Sequence, residues 1–167
     1  MKPYRETHEF EGMLDAPVER VWELHTSPEQ MCSVFSWILN AEIVAGSPGE
    51  KGCGYRMDMR SNRGRARAVW FKVIDTRAPR SITVRSRIPT QSPFKRLRVV
   101  IQETTRTLKR RGRRTVTTVV ISMETVPIRW LVRILLRATR KGRARKAATD
   151  FDKAIAEENA FYASLGS

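Results

Sequence analysis

Along residues 147–165, apolar side chains return at intervals of three, four and seven: Ala147, Phe151, Ala154, Ile155, Tyr162 and Leu165. That spacing belongs to a helix with one buried face, and Gly166 directly after it is a common helix stop. Between Tyr55 and Val126 the chain alternates as strand instead. A sheet of that extent has an apolar face to cover, and the terminal helix is the element able to cover it.

The strands and turns follow in order. Tyr4–Leu14 places His8, Phe10, Gly12 and Leu14 on one side and predicts a first strand. Asp15-Ala16-Pro17 supplies a capping side chain and a proline for a short helix with Val18, Val21, Trp22 and His25 on its apolar face. Ser27-Pro28-Glu29-Gln30 starts a second short helix, with Met31, Val34, Phe35 and Ile38 inward. Leu39–Ala45 and Tyr55–Arg60 flank the turn-rich stretch 46–54. Its Lys51-Gly52 lacks the Ser/Thr and the following helix of a phosphate loop, so a hairpin is expected.

Gly64–Asp75 is a long strand in which Arg63, Arg65 and Arg67 share the phase of Val69, Phe71 and Val73. A bulge near 66–68 is expected to turn those arginines outward. Ser81–Ile88 alternates, and Lys95–Leu108 sets Leu97, Val99, Ile101 and Glu103 on one face. The turn 109–114 leads into Thr115–Val126. The expected architecture is α+β: one domain over 1–167, with about seven antiparallel strands curved around a long C-terminal helix at 147–165 and two short helices after the first strand.

Charge is concentrated in the middle. Residues 54–149 hold 27 basic and 4 acidic side chains, within a chain of net charge +15. Such a field favours a polyanion: an anionic membrane, nucleic acid or an acidic protein. In residues 128–141, Arg129, Arg133, Arg137 and Lys141 line one side, Leu131, Ile134, Leu135 and Ala138 lie opposite, and Trp130 sits at the flank. This predicts a basic amphipathic helix suited to an anionic membrane surface or to covering a pocket, with Gly142 separating it from the terminal helix. The tracts around 109–114 and 140–146 leave RNA as a weaker alternative, since no aromatic side chains interleave with the basic strands. No apolar run approaches the roughly 20 residues of a membrane span, and the first twelve residues lack a secretory h-region. Cys32 and Cys53 have no metal-like spacing and read as free thiols of a cytoplasmic protein.

The phrase LDAPVERVWELHTSPEQM after the first strand resembles the opening of the START-like, or SRPBCC, superfamily. So do the glycine turn GSPGEKGCGYRM and the strand–Pro–strand passage VWFKVIDTRAPRSITVRSR. The resemblance runs the length of the chain and is nearest the polyketide cyclase/dehydrase and lipid-transport branch. It implies a helix-grip fold enclosing an apolar pocket for a lipid, sterol, quinone or polyketide, and only some such proteins are enzymes.

On that footing the expected lining is Tyr55, Met57, Phe71, Val84, Ser86, Ile101, Phe151, Ile155 and Tyr162. Glu103 and Glu158 fall in phase with apolar neighbours and are the candidate acid–base groups, with raised pKa expected if they are buried alone; the favoured alternative is that each lies at the pocket mouth or pairs with one of the many arginines. His8 and His25 are the only histidines and read as structural, no triad or metal set being legible. No cofactor is expected. Binding of an apolar molecule, with transfer at an anionic membrane, is favoured over cyclase or dehydrase turnover.

Overall fold

The computed structural model describes residues 3–60, 64–88, 99–126, 134 and 136–165, with the side chains of Ile88, Val99, Val100 and Val126 outside that description. β1 (Tyr4–Leu14) leads into α1 (Val18–Thr26) and α2 (Pro28–Val34). Next come β2 (Ile38–Ala45), β3 (Gly54–Arg60), β4 (Ala66–Arg77), β5 (Ser81–Ile88), β6 (Val99–Arg111) and β7 (Arg114–Val126). α3 (Arg140–Leu165) closes the chain. All pairings are antiparallel in the order β1-β7-β6-β5-β4-β3-β2. β1 and β2 therefore occupy opposite edges, with α1 and α2 carrying the chain between them.

Local chemistry accounts for the corners. Gly112 takes a φ of +62° at the first position of the two-residue β6–β7 loop, where Arg111 pairs with Arg114; a type II′ hairpin has glycine there. The 46–53 stretch joins β2 to β3 as a hairpin. Ser27 caps α2 by accepting from the Gln30 amide at 3.4 Å. The start of α1 departs from expectation. Pro17 stands at its N-cap with no side-chain cap bond, because the Asp15 carboxylate is engaged instead by Arg114 at 2.8 Å.

Cross-strand registers decide which side chains face inward. On β3, β4 and β5, Tyr55 is opposite Phe71, which is opposite Ser86; Met57 faces Val69 and Val73 faces Val84. On β6 and β7 the inward set is Leu108 with Thr117 and Arg106 with Val119. The core combines these with Leu14, Val21, Leu24, Met31, Phe35 and Ile38.

α3 lies along β1, running in the same direction. Arg143 bonds Glu6 at 2.5 Å. Phe151 stacks on Phe10 with centroids 5.4 Å apart. Asn159 donates to the Met13 carbonyl at 3.1 Å and accepts from the Asp15 amide at 2.8 Å. Three expectations about this helix are corrected. It begins at Arg140 rather than 147, and Gly142 lies inside it. One glycine in a helix interior costs only about 1 kcal/mol, which the flanking Arg, Lys and Ala residues can carry. Leu165, assigned to the buried stripe, is 58% exposed, because the sheet-facing contacts end at Tyr162.

The closest approach is at Gly12. A β-carbon there would stand 2.8 Å from Ile155 Cδ1 and 3.1 Å from Phe151 Cζ. Gly12→Val should therefore destabilise the protein by about 1–3 kcal/mol. In denaturant titrations the penalty should shrink when Ile155→Ala is added; equal penalties in both backgrounds would show that Gly12 is not what seats the helix.

Candidate ligand site and the buried ion cluster

The inner sheet face carries an aromatic floor. The rings of Tyr55 and Phe71 stack at 5.1 Å with 11° between their planes. Burial, with the nearby Cys53 thiol, pushes the Tyr55 phenol well above its ordinary range, so it stays protonated. Tyr55, Met57 and Ser86 are buried, while Phe71 and Val84 face the same interior only half-buried. Phe151 and Ile155 on α3 are also half-buried. Eight of the nine expected lining residues thus lie on the inner sheet face or the sheet-facing side of α3.

Ile101 does not, and neither does Glu103. Both belong to the outer face of β6. Glu103 is bonded to Arg85 at 2.8 Å and is 40% exposed at its side chain. The inward residues of β6 are Gln102, Thr104, Arg106 and Leu108, opposite Met123, Ile121, Val119 and Thr117. Expecting the apolar set Val99 and Ile101 inward followed the greasier face, but pairing with β5 and β7 outweighs composition when a strand is polar on both sides.

At the α1 end of the sheet, four ionisable side chains converge. Glu158, 1% exposed, lies with its two carboxylate oxygens 3.1 and 3.2 Å from His25 Nε2. Tyr162 donates its hydroxyl to the same carboxylate at 2.9 Å. Arg106 stands 3.9 Å away and donates to Thr117 Oγ1 at 3.1 Å. Helical spacing explains the approach from α3, since residues 158 and 162 are one turn apart; His25 comes from the last turn of α1. Burial raises the Glu158 pKa, yet the charge and hydrogen bond of His25, with Arg106 and Tyr162, outweigh it and hold the group below its usual value. A raised pKa is thus not found, and the carboxylate is paired with an arginine as the alternative reading expected. Burial and the Arg106 charge lower His25, against the opposing pull of Glu158. So held, Glu158 is a poor proton donor.

A second carboxylate–histidine pair sits at the far end of the same face. His8 Nε2 is 2.7 Å from Glu6 Oε1, Glu6 is buried, and Tyr4 donates to it at 3.4 Å. Burial raises the Glu6 pKa, but Arg143 and His8 more than offset it. Beside this cluster opens a cleft of about 600 Å³ lined by Tyr4, Arg5, Glu6, Thr7, Arg137 and Arg140. Of the expected polyanion-contact residues, Arg137 and Lys141 are exposed, whereas Arg129, Trp130 and Arg133 lie outside the described residues. Sequence reading missed both carboxylate–histidine pairs. The available signal was that Glu6 shares the phase of His8, and that His25 and Glu158 each fall on a buried helix stripe.

Residues 14–151 match the family described as polyketide cyclase / dehydrase and lipid transport. The chain belongs to that family. Among solved structures, a Staphylococcus aureus protein of unknown function, SA2116, superposes at a TM-score of 0.73 with 12% identity, covering 99% of both chains. Protein Ms6760 from Mycobacterium smegmatis gives 0.62 at 16% identity, over 99% of this chain and 98% of its own. Major latex-like protein 151 from Panax ginseng gives 0.59 at 15% identity, over 84% and 97%. At these identities the likeness is one of fold, the helix-grip arrangement of the SRPBCC superfamily. No curated protein matches the chain.

Among the described residues, no helix is long and apolar enough to cross a membrane, and no three metal-ligating side chains come together. Within this family member the α1-end cluster binds three elements to one carboxylate. Glu158→Ala should cost about 3–5 kcal/mol, because it leaves Arg106 buried without its counter-ion, and Glu158→Gln should cost less. The pH dependence has a definite sign. His25 and Glu158 both have folded pKa values below their ordinary 6.5 and 4.5. Their contributions are complete above those values and are lost as pH falls toward the folded ones. Thermal midpoints should therefore drop from about pH 6.5 downward, and His25→Gln should flatten the upper part of that slope; a midpoint that rises on acidification would refute the assignment.

Proposed function

We propose that this protein binds an apolar small molecule, of lipid, quinone or polyketide type, between the inner sheet face and α3. The observation that carries the reading is the half-burial of Met59, Phe71, Val84, Phe151 and Ile155. These are large apolar side chains at the border of the core that the fold covers only in part. Apolar surface left accessible beside the stacked Tyr55 and Phe71 rings is where a hydrophobic ligand gains most. Family membership supports the same class of ligand. Turnover has less support: Glu103 is outside, and Glu158 is an engaged carboxylate of lowered pKa rather than an available acid. The neutral dye Nile red should brighten with the wild-type protein, and Val84→Trp, which fills the space, should abolish the signal while keeping the circular dichroism of the fold. Undiminished dye binding by that variant would place the site elsewhere.

A second element of the reading is delivery at an anionic surface. Arg137, Arg140 and Lys141 are exposed together where α3 begins, and Arg137 and Arg140 line the cleft beside Glu6. Each such cation near an anionic bilayer contributes on the order of 1 kcal/mol. Flotation with vesicles containing phosphatidylserine should exceed flotation with neutral vesicles, and should weaken both in high salt and on Arg137→Glu/Arg140→Glu. Equal recovery with neutral vesicles would remove the membrane from the proposal, and salt-sensitive capture of RNA alone would redirect it.

A further inference from the structure

Among the described residues, the inner surface of this fold carries one guanidinium more than the buried carboxylates that face it. Three guanidinium groups have been directed to it by register or by helical phase: Arg106 on β6, Arg143 on α3 and Arg67 on β4. Two buried carboxylates answer them among the described residues, Glu158 beside Arg106 and Glu6 beside Arg143. Arg67 is the remainder. Its Nη2 is buried and has no hydrogen-bond partner.

The orientation of Arg67 follows from the pairing of β3 with β4, which is continuous from Gly54 with Lys72 to Arg60 with Ala66. The expected bulge at 66–68 is absent from that ladder; the irregularity of β4 lies instead between Val73 and Asp75, in its pairing with β5. With no extra residue to reverse the alternation, Arg67 stays in phase with Val69 and Phe71 and opposite Met59, on the inward side. Ala66, Ala68 and Trp70 take the other face, and Trp70 is 54% exposed there. A buried guanidinium nitrogen without a partner is unfavourable, and such groups in folded proteins are normally answered by an acceptor.

We propose that the missing acceptor is the ligand, and that the molecule bound in this interior is an amphiphile with a carboxylate head held by Arg67. The proposal rests on the reading of the interior as an apolar binding site and narrows it to one chemical class. The head sits against Arg67, and the tail runs over Val69 toward the Phe71–Tyr55 stack, roughly 13 Å along the strand from residue 67 to residue 71. A guanidinium presents planar, charge-assisted donors that fit a carboxylate well, and the aromatic floor accepts hydrocarbon. Arg67 is thus a head-group selector, a role for which periodicity supplied no candidate.

The test compares two ligands that differ only at the head. Oleate and oleyl alcohol are titrated, each below its aggregation threshold, against protein carrying bound Nile red. Wild type should bind oleate about tenfold or more tighter than the alcohol. Arg67→Met should bring oleate down to the affinity of the alcohol, and Arg67→Lys should keep part of the preference. Equal displacement by both ligands in the wild type overturns the carboxylate head alone, as does a preference that survives Arg67→Met. Failure of the wild type to take up the dye or either ligand overturns the binding reading itself, and the selector with it.

Discussion

One ionised carboxylate in the interior holds together elements far apart in the chain. Glu158 meets His25 from α1, Arg106 from β6 and Tyr162 from its own helix. A charge with 1% exposure is tolerable only where its desolvation is compensated by geometry of this kind. The position of α3 relative to the sheet and that of α1 relative to α3 are therefore coupled. Shifting either one leaves a buried charge unanswered.

The other end of α3 repeats the device. Arg143 reaches Glu6, which also receives His8, and between these two fixed points the helix rests on β1 at the one place where the strand has no side chain, Gly12. Polar anchors at both ends and a close approach in the middle hold the helix against one edge of the sheet. Phe151 and Ile155 on the helix, and Phe71 and Val84 on the sheet, remain half-buried. In this family member the helix is tied to the sheet by ion clusters at both ends and by its contacts with β1.

Much of the architecture was legible in the residues. Alternation gave β1, β3 and β5 nearly to their ends, the 46–54 turn gave its hairpin, and the stripe Ala147–Tyr162 gave the sheet-facing side of α3. These are local properties, set by helix and strand periods and by turn chemistry. The errors lie where both faces of an element carried plausible residues. β6 has Ile101 and Glu103 on one side and Thr104 and Arg106 on the other, so hydropathy alone could not say which looked inward, and the register with β5 and β7 decided it. Arg67 was expected outside because a charge in phase with valine and phenylalanine looks like an error of phase. The unbroken β3–β4 ladder kept it inside.

By itself the chain's order of residues determined its class of fold, the number and direction of its strands, and the face of its last helix, because each depends on neighbours a few positions away. Only the tertiary structure decided the direction in which the Glu158 and His25 pKa values move, the outward turn of Glu103 and the unpartnered Nη2 of Arg67. Those depend on which distant groups share a low-dielectric space. Electrostatic energy there is set by distance in space, which sequence separation does not report.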